Sequence, residues 1–247
     1  LLQQWFNKQY PDKSPYRLYS LSNLGSLLAL LTYPFIVEPN LGLNTQTIVW
    51  SIGYGVFILA CGWTGLTLYK SVSNLPPTIK KVEPTENQKM SVMDPVLWIA
   101  FSACGSILLL AATNFVCQDV AVIPFFWIIP LSLYLITLII AFDNPRWYMR
   151  WFWIPILILI IPKIFMLLEG HYVLGDAELM EQLIVYLGGM FVAVMVCHGE
   201  MVRLKPPAKH LTFFYLMVSL GGAIGGIFVT FVAPEIFSDF WEWPIGL

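Results

Sequence analysis

The sequence predicts an all-α bundle of about seven helices lodged in a membrane. Three observations carry that expectation. Only 11% of the 247 residues are charged and 58% are hydrophobic, whereas a soluble domain has about 25% charged residues. The apolar residues come in runs long enough to cross a hydrocarbon core of ~30 Å at ~1.5 Å per helical residue. Finally, Lys and Arg collect in alternate connecting segments, as the preference of basic residues for the cytoplasmic side requires. The mean hydropathy of +0.73 agrees with all three.

The expected spans follow in order, as one transmembrane domain over 1–247. The first, 18–37, has Pro34 near its end and a polar stripe of Ser22, Asn23 and Ser26. The second is 45–69. Residues 70–94 form a polar linker, with Pro76, Pro77 and Pro84 breaking any helix and four lysines keeping it in water. The third span, 95–115, ends beside Asn114, and a short turn with Gln118 and Asp119 leads into the fourth, 120–142. Pro124 and Pro130 predict a kink or a broken start there, since proline removes a helical hydrogen bond. The fifth, 147–168, contains Pro155, Pro162 and Lys163, whose long stem can snorkel outward toward Glu169. The sixth, 177–197, runs on into a loop that Pro206 and Pro207 end. The seventh, 210–232, precedes an acidic, tryptophan-rich end.

Charge orients these spans. With the N-terminus inside, the cytoplasmic segments hold Lys8, Lys13 and Arg17, then the linker lysines, then Arg146 and Arg150, then Arg203, Lys205 and Lys209. The outer segments hold Glu38, Asp119, Glu169, Asp176, Glu178, Glu181, Glu235, Asp239 and Glu242 and no basic residue. The N-terminus is therefore expected in the cytoplasm and the C-terminus outside, in the periplasm of a bacterial inner membrane. Trp147, Tyr148, Trp151 and Trp153 read as an inner aromatic belt, and Trp241 and Trp243 as an outer one. Cys61, Cys104, Cys117 and Cys197 lack metal-ligand spacing and read as small core residues.

Most side chains with specific chemistry fall between Cys197 and Gly226. Gly221/Gly225 and Gly222/Gly226 are overlapping small-xxx-small pairs that let a second helix approach closely; a hinge is the other reading, since glycine loosens a helix. A phosphate loop is excluded because no strand precedes these glycines. Glu200 and Arg203 make an i,i+3 pair. With Lys209 they read either as helix-end capping groups or as a cytoplasmic charge latch. Asn23, Asn114 and Asp119 complete the candidate substrate or gating residues. No cofactor is expected. Haem or metal ligation at His198 or His210 is the lesser alternative, because His198 and Glu200 point to different faces of a helix. No nucleophile–base pair or metal set suggests an enzyme. The sparse basic residues exclude a nucleic-acid track. The expected partners are the lipid bilayer and other membrane helices or protein subunits.

Three blocks carry a family resemblance: SPYRLYSLSNLGSLLALLTYPFIVEP over Ser14 to Pro39, ATNFVCQDVAVIPFFWIIPLSLYLITLIIAF over Ala112 to Phe142, and CHGEMVRLKPPAKHLTFFYLMVSLGGAIGGIFVTFVAPEIF over Cys197 to Phe237. In that order they resemble the membrane region of bacterial fused major-facilitator/spermidine-synthase proteins. The resemblance implies a major-facilitator-like fragment, with further helices before the first block and a cytoplasmic synthase-like domain elsewhere. Leu1 is no initiator Met and no signal-peptide pattern opens the chain, so an interior piece of a longer protein is expected. The alternating strand–helix pattern of a synthase domain does not occur here, so aminopropyl transfer does not come with the resemblance. The expectation for function is a transporter-like domain for a small polar or cationic metabolite, with a non-transporting anchor or scaffold subunit as the alternative.

Overall fold

The computed structural model describes residues 14–73, 91–117, 126–173 and 179–237, together with positions 3, 6, 10, 243, 246 and 247. Among them there is no strand, and the chain is a multi-pass helical membrane protein. Seven main helices follow in chain order: α1 Arg17–Thr32, α2 Leu43–Ser73, α3 Met93–Phe115, α4 Ile128–Asp143, α5 Arg150–Val173, α6 Leu179–Arg203 and α7 Leu211–Ile227. Among the described residues, six helical stretches are long and apolar enough to span a membrane. The exception is α4, whose 16 described residues cover ~24 Å at ~1.5 Å each. The expected start of that span at Val120, and Pro124 with it, lie outside the described residues. α2 runs on through Ser73 rather than ending at Tyr69, so the expected linker is shorter at its start, and 74–90 lie outside the described residues.

Proline shapes three helices differently. In α5, Pro155 and Pro162 are carried within a continuous helix. α1 instead widens into a five-residue π turn, Tyr33–Val37, that contains Pro34. α7 does the same over Phe228–Val232, just before Pro234. A proline cannot supply its amide to the carbonyl four residues back, and a wider turn accommodates the missing bond. Both π turns pass into short terminal turns, Glu38–Asn40 and Ala233–Ile236.

The likeness of α1 and α7 extends to their residues. Laid along each other, they match Tyr19 with Tyr215, Asn23 with Ser219, Gly25 with Gly221, Ser26 with Gly222 and Ala29 with Gly225.

α3 and α6 form the centre. α7 packs along α3, α4 and α5 along α6, and α1 along α4. More than half of the most apolar stretch of α6 is buried, while none of that of α2 is. The side-chain contacts divide the bundle into two ends. At one, Arg17 meets Asp143 and Arg150 meets Glu200. At the other, Lys163 Nζ lies 3.1 Å from Glu181 Oε1. The Lys163 ammonium thus has Glu181 as its partner at the acidic end, while the side chain of Glu169, the expected partner, lies outside the described residues. Each end has its own core, around Tyr16, Trp98, Phe142, Met201 and Phe214 at the basic end and around Leu108, Phe115, Tyr186 and Met190 at the acidic end. Trp243, expected in an interfacial belt, is instead wholly buried in the acidic-end core.

Candidate functional site

The basic end is organised by Glu200, near the end of α6. Its side chain is only 10% exposed. A buried carboxylate needs its lone pairs satisfied, and here every donor comes from nearby. Arg150 Nε donates to Oε1 at 2.6 Å, and its Nη2 donates to Oε2, giving a two-pronged grip. Tyr148 Oη donates to Oε1 at 2.7 Å and Arg203 Nη1 at 3.2 Å. The neighbouring Gly199 makes this possible, because a Cβ there would collide with the Tyr148 ring. Two guanidiniums on one carboxylate leave the group with net positive charge. It fastens α6 to the start of α5.

The loop after α6 is held by donors from elsewhere in the bundle. Helix C-termini leave carbonyls without helical partners. Trp98 Nε1 of α3 donates to Leu204 O at 3.0 Å, and Tyr16 Oη donates to Pro206 O at 2.6 Å. Lys205 Nζ sits 5.1 Å above the Tyr16 ring, an attraction between a cation and a ring face. Burial holds the Lys205 ammonium below its usual range and pushes the Tyr16 phenol up.

Next to this loop, α1 and α7 meet through aromatic rings. Tyr19 and Tyr215, the matched residues, lie 5.0 Å apart between centroids. Phe142 stands 4.6 Å from Tyr19, and Phe214 stands 5.8 Å from Tyr16. One helical turn further along each helix are Asn23, half-buried, and Ser219, exposed. α1 and α7 are not among the pairs packed along their length, so their main described meeting is this aromatic closure.

A second polar row lies deeper. His198 is almost wholly buried between α3, α4 and α6. Thr137 Oγ1 donates its single proton to Tyr134 O at 2.7 Å. It also lies 2.9 Å from His198 Nδ1, within hydrogen-bonding distance. His198 Nε2 points at Gly105, 3.3 Å from where a Cβ there would be. The Tyr134 ring stands edge-on to the imidazole at 4.8 Å, and its hydroxyl meets Ser106. Ser106 Oγ in turn is 3.4 Å from a Cβ at Gly222. Among the described residues, no group of three or more His, Cys, Asp or Glu side chains is arranged to hold a metal. All four cysteines are free, and Cys104 and Cys197 face each other between α3 and α6.

The structure thus brings Glu200 and Arg203 together, with Arg150 and Tyr148 rather than Lys209 as their company. Lys209 is exposed in the short turn Ala208–His210. Asn23 Nδ2 donates to Tyr19 O of its own helix at 2.8 Å. Asn114 is half-buried at the far end of α3, and Asp119 lies outside the described residues. The glycines divide by face. Cβ atoms at Gly221 and Gly225 would press on the α3 backbone and on Ser102 Cβ (2.8 Å) and Ser106 Cβ (2.9 Å), whereas Gly226 has its nearest neighbour, Leu110 Cδ1, at 4.0 Å. Arg150, Tyr148, Tyr16 and the Thr137–His198 pair were missed by sequence reasoning. Arg150 counted only as topology charge and Tyr148 only as belt, and their common partner lies about fifty positions away along the chain.

The fold defines a multi-pass membrane protein, and the charged cluster of Glu200, Arg150 and Arg203 lies at one end of it. No family model, curated protein or solved structure matches the chain.

Proposed function

We propose that this multi-pass chain is a transporter-like domain that passes a small polar or cationic metabolite between α1 and α7. The observation that carries the reading is the matched pair Tyr19/Tyr215. Two helices with the same pattern touch at one end through equivalent residues, and their next matched turn carries Asn23 and Ser219. Alternating access needs bodies that close against each other at one end and can part there. The Glu200 cluster fixes the end of α6 and so the loop that Tyr16 and Trp98 hold. The resemblance to the membrane region of fused major-facilitator/spermidine-synthase proteins supports the same reading. In it the basic end faces the cytoplasm of a bacterial cell, and no metal or haem takes part.

The test is side-specific labelling of Asn23→Cys and Ser219→Cys, in a chain with its own cysteines replaced, using a membrane-impermeant maleimide in oriented vesicles. Labelling from the acidic side alone is expected, with labelling from the basic side appearing once Tyr215→Ala removes the closure. Equal reactivity from both sides before that substitution rejects a closed gate, and no reactivity in either background rejects a solute path.

A second reading, a non-transporting anchor or scaffold subunit, is favoured by α2, which among the described residues packs along no other helix. A stable larger assembly that survives mild extraction and breaks when α2 is altered would select it.

A further inference from the structure

A cavity of about 780 Å³ lies between α1 and α4 at the basic end, apart from the Tyr19/Tyr215 closure. We propose that it binds one phospholipid with a zwitterionic, primary-ammonium headgroup, that is, phosphatidylethanolamine. The proposal depends on the membrane assignment and not on transport.

The lining changes character with depth. Arg17, the first residue of α1, and Asp143, the last of α4, stand at the mouth with Ser14. Leu21 and Leu24 lie about one and two turns deeper, roughly 6 and 10 Å along the helix, facing Ile139 across the cavity. Both leucines are exposed, so the apolar part opens sideways to hydrocarbon. Polar at the headgroup level and apolar below it, the site is graded as a phospholipid is. Its volume is within the ~300–1,000 Å³ usual for ligand pockets.

Charge selects the headgroup. Arg17 Nη2 and Asp143 Oδ1 are 3.0 Å apart, with their side chains 70% and 39% exposed. Arg17 Nε also donates to the same oxygen at 3.2 Å, but an exposed pair is worth only about 1 kcal/mol or less, so a phosphate and an ammonium arriving together can replace it. Arg17 then presents a guanidinium fork to a phosphate, and Asp143 accepts from an ammonium. A primary ammonium has three N–H donors for that carboxylate. A trimethylammonium has none, and a glycerol headgroup has no positive charge.

The experiment uses the full chain in nanodiscs of equal parts phosphatidylethanolamine, phosphatidylcholine and phosphatidylglycerol, with retained lipid weighed by native mass spectrometry. Phosphatidylethanolamine is expected to be retained several-fold over both others. Asp143→Asn should erase its advantage over phosphatidylcholine, and Leu24→Trp, which fills the apolar floor, should lower retention of all three. Equal retention of the three lipids by the unaltered chain, or an unchanged preference in Asp143→Asn, overturns the proposal. Phosphoethanolamine added in solution tests the other source of the same chemistry. If it binds while no lipid is retained, the site takes a free phosphate ester and the lipid assignment falls.

Discussion

α7 and α2 both carry several glycines in an apolar helix, yet their surroundings are opposite. Gly221 and Gly225 of α7 lie directly on the α3 backbone, flanked by Ser102 and Ser106. A Cβ added at Gly53, Gly55 or Gly62 of α2 would meet no atom of another element within 4 Å among the described residues. Lipid is as apolar as leucine, so helices in a membrane gain little from burying apolar surface and much from close contact. Glycine permits that contact only where the facing helix is also small. α3 offers Ser102, Ala103 and Ser106 at the required spacing, and Ser102 Oγ reaches Val218 O at 2.6 Å. Among the described residues, α2 packs along no such face. A glycine motif is thus half of an interface, and the other half decides whether it is used.

The largest expected effect breaks that contrast directly. Gly221→Leu or Gly225→Leu drives a branched side chain into the backbone of α3, which cannot yield as a flexible side chain can. Overpacking of a tight site costs ~3 kcal/mol, and the double variant is expected to lose the α3–α7 seam. Gly55→Leu meets open space and should be neutral or stabilising by up to ~1 kcal/mol, since glycine is the poorer helix former. Thermal unfolding in one detergent compares the set, and equal losses at α2 and α7 would dismiss the distinction.

Next in size is Glu200. Glu200→Gln keeps the shape but strips the charge that holds Arg150 and Arg203. A broken buried pair costs ~3–5 kcal/mol when the stranded partner is buried as well. Both guanidiniums are about half exposed, which lowers the expected loss to ~2 kcal/mol. A double-mutant cycle with Arg150→Met is the check, and additive losses would show that the two side chains are not coupled.

The sequence made legible what the bilayer dictates. Span length, the basic and acidic ends and the i,i+3 pairing of Glu200 with Arg203 follow from thickness, charge and helix geometry. Partner choice was not legible, because it depends on residues distant in the chain. Gly221/Gly225 and Gly222/Gly226 are equivalent as spacings, and only the position of α3 tells them apart. Arg150 reads as a topology charge until α5 and α6 are placed side by side. Trp243 shows the same limit, since an interfacial tryptophan and a buried one are the same letter. Pro34 gave a clear local signal, whereas the π turn before Pro234 falls inside an otherwise uniform apolar run.

The smallest expected effects separate shape from hydrogen bonding within the α3–α7 seam. Ser102→Ala removes a 2.6 Å bond but keeps the Cβ on which Gly221 rests. Hydrogen bonds between membrane helices average ~0.6 kcal/mol, and Val218 O keeps its helical partner, so a loss of that order is expected. Gly222→Ala adds a Cβ 3.4 Å from Ser106 Oγ, about van der Waals contact, so the hydroxyl keeps its place beside Tyr134. Alanine is preferred over glycine in a helix by ~0.5–1 kcal/mol, so the change should be neutral or slightly stabilising. Gly221→Ala, one position away, meets α3 backbone and should destabilise. If Ser102→Ala costs more than Gly221→Ala, the seam depends on its hydroxyl rather than on close approach, and the contrast with α2 must be drawn in those terms instead.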